Sequence, residues 1–386
     1  MSPVRLSTTT YAIIGAGLIA VAYGLARFAF GLFVPPIRES LGLSSSTMGV
    51  IGSMAFVSFV LASFFASAAA ERFGASRAAM IAGGFAVAGL ALVSRSTGAW
   101  SLGAGVFLCG IATAMMMPAL SLGNHAAVVP ARQGRVNAIM NAGTGIGVAV
   151  SVPVTLLLTD AWRIAYGSFT VLAAVGIVVA WWWLPDNGRR ADHIDDRPPL
   201  TFPERRALVR MSAFAAGMGL VSAAYWVFAP DLAVILGDMP MALTGWLWLV
   251  VGLVGVLGGV AGELMDRFGA GRTQSAALMG LAGAMVLLMM APGTLPVALI
   301  SAGLFGFAYM TLTGVYLVSG TRLAGTRPAL GAVVAFLAVA VGQAVGSVLA
   351  GVSADLVGYF NTFAAFAIAC TVVAALFPFY PPVRRD

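Results

Sequence analysis

The sequence predicts an all-α membrane protein of twelve transmembrane helices, arranged as two parallel-related six-helix repeats. Three observations carry that prediction. Of the 386 residues, 60% are hydrophobic and 9% are charged. A soluble chain of this length has too little polar surface to cover such a core, so its solvent is lipid. Apolar runs of bilayer-crossing length recur along the whole chain. Finally, the chain repeats itself. Gly262-Glu-Leu-Met-Asp266-Arg267-Phe-Gly269-Ala-Gly-Arg272 falls, at an offset of 195, on Ser67-Ala-Ala-Ala-Glu71-Arg72-Phe-Gly74-Ala-Ser-Arg77. At the same offset Pro35 falls on Pro230, Arg132 on Arg327, Asp160 on Asp355, and Arg189-Arg190 on Arg384-Arg385. A gapless offset of this size marks two copies of one unit, both running in the same direction.

Apolar runs of roughly 18 to 26 residues lie near 11–34, 47–70, 78–98, 100–122, 136–158 and 164–184. A second set lies near 209–230, 241–262, 274–291, 295–319, 329–354 and 359–380. Their continuous length identifies them, since barrel strands would be half as long and alternating. The first run has no small-residue cleavage site and is long enough to span, so it reads as a helix of the protein and not a signal peptide.

All the basic charge is arginine, and the chain is +7 overall. With the N-terminus in the cytoplasm, seventeen arginines fall on cytoplasmic segments, and only Arg38, Arg95 and Arg163 fall on the opposite side. That asymmetry follows the positive-inside rule and places both termini inside. It also makes the basicity a topology signal and not a footprint for nucleic acid. The predicted organisation is a six-helix bundle over 1–184, a cytoplasmic linker over 185–208, rich in Pro, Asp and Arg, and a second six-helix bundle over 209–386.

Few residues suggest chemistry outside this frame. His193 lies among Asp192, Asp195 and Asp196 in the linker, where a solvated histidine is the favoured reading over a metal site. Cys109 and Cys370 lie inside apolar runs as small core residues, without metal-ligand spacing. No nucleophile–base pair or phosphate-cradling loop stands out, so an enzyme is not expected and no cofactor is implied. Gly143, Gly145 and Gly147, and Gly342 and Gly346, give small helix faces that allow close approach.

The span pattern, the central charged loop and the two charged turns resemble the major facilitator superfamily. The turns match its G-x-L-a-D-R-x-G-R-R signature after spans two and eight. The second copy keeps Gly262, Asp266, Arg267, Gly269 and Arg272. The first departs, with Ser67 for Gly, Glu71 for Asp and Ser76 for a basic residue. Ala161-Trp162-Arg163 before span six is similar to bacterial members, and Gly24 to Ser44 resembles permeases near the cyanate and nitroimidazole transporter-like group. The resemblance implies a secondary transporter of the bacterial inner (plasma) membrane, multi-pass and working by alternating access. Glu71, Arg72, Gly74, Arg77, Asp266, Arg267, Gly269 and Arg272 would then form a cytoplasmic gate. The partners expected are a small-molecule solute and the lipid bilayer, with no nucleic acid, and a monomer is the expected state.

Within the spans one ionisable side chain stands out. Arg27 lies about 24 Å along a helix from Tyr11 and about 10 Å before Val34. An arginine at that depth either binds an anionic group of a solute or is structural, reaching outward or to backbone carbonyls. The family's cavity-lining helices, carried over span by span, nominate Tyr23, Arg27 and Phe30, then Met115, Met116 and Met117, then Tyr225 and Trp226, then Tyr309, Thr313 and Tyr316. Asn137, Asn141 and Gln343 read as buried amides that either bond across helices or line the path. No acid lies in the central part of a span, so proton coupling falls to His125 at an inner helix end or Asp231 at an outer one. The favoured expectation is a carrier of a small, anionic organic solute. The alternatives are a proton-coupled efflux pump for hydrophobic compounds and a non-transporting receptor of the same fold.

Overall fold

The computed structural model describes residues 7–158, 161–185, 198–325 and 327–376. Its α-helices, in chain order, are α1 (Thr8–Ile19), α2 (Val34–Leu41), α3 (Ser45–Phe73), α4 (Ala75–Ser94), α5 (Ala99–Ala127), α6 (Pro130–Leu157) and α7 (Trp162–Trp183). Then come α8 (Phe202–Gly237), α9 (Thr244–Gly255), α10 (Ala261–Phe268), α11 (Ala270–Met290), α12 (Leu295–Leu323) and α13 (Pro328–Ala375). Among the described residues, eleven helical stretches are long and apolar enough to cross a membrane.

The count differs from twelve because α13 runs for 48 residues with one non-helical residue inside it, Gly358, at φ 81°. Two of the sequence's apolar runs meet at that glycine, whose missing Cβ permits the positive φ. Two other spans are interrupted. Between α1 and α2 the chain forms a π-helical turn over Ala20–Leu25 and a 3₁₀ stretch over Phe28–Phe33. Between α9 and α10 it forms a 3₁₀ stretch over Val256–Val260.

The start of α8 lies seven residues earlier than the apolar run indicates. Thr201 and Glu204 close a capping box, and Pro203 falls in the first turn, so the helix begins at Phe202 while still polar. The same helix continues through Pro230 to Gly237. His193 and its neighbouring acids lie outside the described residues.

The chain divides into two compact units, residues 1–43 with 54–194, and residues 44–53 with 195–386. Helix α3 therefore begins in the second unit and continues in the first. In the first unit, α4 packs on α5 and α7, and α1 packs on α6. The α1–α6 approach is one of backbone on backbone: a Cβ on Gly143 would strike the carbonyl of Ala16, and one on Gly147 that of Ala20. In the second unit, α8 and α13 form the most extensive pairing, and Gly342 and Gly346 lie against the carbonyls of Ala216 and Leu220 in the same way. These are the small faces visible in the sequence, used for packing.

Candidate functional site

In the first unit the site is built on the irregular middle of the first span. The π turn at Ala20–Leu25 widens the helix, and the 3₁₀ stretch from Phe28 tightens it again, with Arg27 at φ −110° in the junction between them. A π bulge leaves carbonyls displaced from the regular ladder. One of them, Ala22 O, accepts from the Thr113 hydroxyl of α5 at 2.8 Å. Arg27 is 9% exposed. Its Cζ lies 4.6 Å from the ring centroids of both Phe56 and Phe59, and 5.2 Å from that of Phe28. The guanidinium is buried among aromatic rings, where cation–π attraction replaces part of its lost hydration.

Phe56 and Phe59 were not among the expected site residues, although their spacing of three on α3 puts them on one helix face. Tyr23 packs with Met115 and Met117 against a buried core that includes Met116. Phe30 is buried. Among the amides, Asn124 of α5 donates to Asn137 of α6 at 2.8 Å. Asn141 is exposed, which corrects its reading as a buried amide.

In the second unit three of the nominated aromatics, Tyr225, Trp226 and Tyr309, form one cluster. Tyr225 stacks on Phe305 at 4.0 Å and 11° between planes, and Trp226 meets Phe305, Tyr309 and Trp248 edge-on at 5.4, 5.1 and 6.1 Å. These edge-on pairs set the positive rim of one ring against the negative face of the next. The polar ends are tied down as well. Ser301 gives its only proton to Ala284 O at 2.7 Å, so the Tyr225 hydroxyl, 2.8 Å away, donates to Ser301. The amide of Gln343 donates to the Tyr309 hydroxyl at 3.1 Å. Tyr316 stands apart from the cluster, donating to Phe214 O, and with Thr313 lines a narrow groove beside Ala335 and Phe336.

The two signature turns share a conformation. Gly74 has φ 84° and ψ 163°, and Gly269 has φ 85° and ψ 152°. In each copy the arginine lies over the ring of the next residue, Arg72 over Phe73 at 5.7 Å and Arg267 over Phe268 at 5.2 Å. Asp266 pairs with Arg322, at the end of α12, at 3.2 Å, with both side chains largely in solvent. Glu71, Arg77 and Arg272 are exposed.

The two residues nominated for proton chemistry separate clearly. His125 is exposed. Asp231 is 0% exposed and lies in the last two turns of α8, which continues past Pro230 to Gly237. It accepts a hydrogen bond from the Tyr359 hydroxyl. Among the described residues, no group of three or more His, Cys, Asp or Glu could hold a metal.

The model of one protein family, the Major Facilitator Superfamily, matches residues 16–339. The chain belongs to that superfamily. Membership places it in a family of membrane transporters and not of enzymes. Solved structures agree on the fold. The chain is similar to a mutant of the nucleoside transporter NupG, with TM-score 0.79 and 11% identity, covering 96% of this chain and 99% of that one. It is similar to a POT family transporter in complex with 5-aminolevulinic acid, with TM-score 0.77 and 14% identity over 98% of both chains. A bacterial homologue of the human lysosomal transporter Spinster gives TM-score 0.76 and 14% identity over 97% of both. By sequence, 220 residues are 24% identical to a hexuronate transporter of Bacillus subtilis (strain 168), covering 51% of this chain and 50% of that protein's length.

Proposed function

We propose that the protein is a secondary transporter of the bacterial inner (plasma) membrane that moves a small organic anion by alternating access. Arg27 carries this reading. It is a buried cation at the one place where the first span abandons regular α geometry, and aromatic rings line it. A charged side chain at membrane depth is costly, and π bulges concentrate at working sites. The planar guanidinium suits a carboxylate, which can accept two parallel hydrogen bonds from it. A hexuronate is itself an organic anion, so the named relative is consistent with this class.

The architecture that goes with this reading is twelve spans in two six-helix repeats, with α13 counted as two spans joined at Gly358. The matched torsions of Gly74 and Gly269, 195 residues apart, support a parallel repeat. In the same reading both termini lie in the cytoplasm, the protein acts as a monomer, and the charged turns around Asp266 and Glu71 gate that side. Asp231 is the better of the two proton-coupling candidates because it is buried. The sequence likeness of Gly24 to Ser44 favours a place near the cyanate and nitroimidazole transporter-like permeases.

Proton-coupled efflux of hydrophobic compounds is the second reading. Asp231 strengthens it, because it gives α8 the buried carboxylate that the sequence had placed at a helix end. Uptake into proteoliposomes of small organic acids, neutral solutes and lipophilic cations, with and without a pH gradient, separates the two. Anion uptake that disappears in Arg27→Ala supports the first. Proton-driven movement of lipophilic cations alone, unaffected by Arg27→Ala, overturns it.

A further inference from the structure

The turn that delivers Arg27 is supported by two neighbouring helices of the first unit. The first span changes register there. Ala26 N–H, which in a regular α-helix would donate to Ala22 O, donates instead to Val21 O at 2.9 Å. Ala22 O accepts from α5, through the hydroxyl of Thr113. Thr113 is fully buried, and its single hydroxyl proton is shared between Ala22 O and Cys109 O, each at 2.8 Å. The bond back to Cys109, one turn earlier on its own helix, fixes the hydroxyl before it meets the first span. Helix α6 gives the second support: a Cβ on Gly24 would strike the backbone of Gly147.

The same turn of α5 also meets the helix that carries the rings. A Cβ on Gly110 would strike the carbonyl of Ala55 and the hydroxyl of Ser58. Ala55 immediately precedes Phe56 on α3, and Ser58 immediately precedes Phe59. The turn from Gly110 to Thr113 thus bears on both sides of the cation–ring contact. Thr113 holds the chain that brings Arg27, and Gly110 sets how closely the segment with Phe56 and Phe59 approaches.

We propose that Thr113 is a positioning residue for Arg27: its hydroxyl holds the first span in the π register that sets the guanidinium against Phe56 and Phe59. A carbonyl left unpaired in an apolar bundle is costly. Without the hydroxyl, the nearest partner for Ala22 O is Ala26 N–H. Restoring that bond restores the α register and turns Arg27 about 100° around the helix axis, away from the rings. This role deepens the anion reading and rests on it for what Arg27 binds, whereas the aim of the guanidinium is set before any solute arrives.

The test puts 4-fluorophenylalanine in place of Phe59 in the full-length protein in lipid, without solute. The fluorine resonance senses a cation over the ring, and Arg27→Ala gives the reference for a ring without one. Thr113→Val, which keeps the shape of the side chain, and Thr113→Ala should both move the resonance most of the way to that reference. Thr113→Ser should keep it at the wild-type position. A second label, in place of Phe305 in the second unit, should not move in any variant. Glucuronate, titrated by thermal stabilisation, should bind roughly tenfold more weakly to Thr113→Val and within about twofold of wild type to Thr113→Ser. A Phe59 resonance unmoved by both Thr113→Val and Thr113→Ala overturns the proposal, and so does failure of Thr113→Ser to restore it. Movement at Phe305 overturns it too, because Thr113 would then hold up the fold and not the aim of Arg27. If no acid stabilises the wild type, the anion reading fails, and the Phe59 resonance still decides the role of Thr113.

Discussion

The guanidinium carbon of Arg27 lies 4.6 Å from the centre of the Phe59 ring, and Phe56, one turn earlier on the same helix, lies equally close. Two aromatic rings thus receive a cation that the first span delivers from between a π turn and a 3₁₀ stretch. Arg27→Ala should reduce transport of an organic anion by at least about a hundredfold, in line with losing a charge-assisted bidentate contact of about 3 kcal/mol. Arg27→Lys should recover little of it, because an ammonium lacks the planar fork. Uptake measured in proteoliposomes, with folding checked by gel filtration, decides this.

Phe59→Leu keeps much of the volume and the apolarity but removes the ring. The expected loss is about thirtyfold in anion affinity, from a cation–π contribution of about 2 kcal/mol at a desolvated site. Equal affinity for wild type and variant would show that the ring only fills space.

Close helix contacts predict a sharp contrast between two glycines. Gly147→Val places a side chain into the Ala20 carbonyl and the Gly24 backbone, and should destabilise by about 1–3 kcal/mol. Gly17→Ala meets open space on α1, and should be neutral or stabilising by up to about 1 kcal/mol. Thermal unfolding in one detergent distinguishes them.

Asp266 and Arg322 form an exposed pair, so Asp266→Asn should change stability by less than about 1 kcal/mol. If the turn acts as a gate, the same variant should slow transport while leaving solute affinity within about twofold, since a gate acts on the exchange between states. Equal losses of rate and affinity would remove the gate role.

Different parts of this structure were legible in the sequence to different degrees. The turns at Gly74 and Gly269 were readable because a positive φ demands glycine, and the demand recurs at an offset of 195. The helix faces of Gly147 and Gly346 were readable from their spacing. The π turn at Ala20–Leu25 was not, since its residues are as apolar as those of a regular span and hydropathy is blind to the hydrogen-bond register. The break at Gly358 was readable as the gap between the apolar runs 329–354 and 359–380, although helix continues on both sides of that single residue's change of torsion. Asp231 was placed at a helix end because Pro230 reads as a stop. In the structure the helix runs on to Gly237 and buries the carboxylate. Phe56 and Phe59, which meet Arg27, lie on the following span, and a single sequence carries no sign of which helix faces meet.

The measurement that tests the central claim most directly is thermal stabilisation of the purified protein by small organic acids, neutral solutes and lipophilic cations, compared with Arg27→Ala. Binding to the native state raises stability by mass action, by about 2.7 kcal/mol at a hundred times the dissociation constant. Stabilisation by one or more acids in the wild type, absent in Arg27→Ala, is the predicted result. Stabilisation by lipophilic cations alone, equal in both proteins, would contradict it and make Arg27 a structural residue.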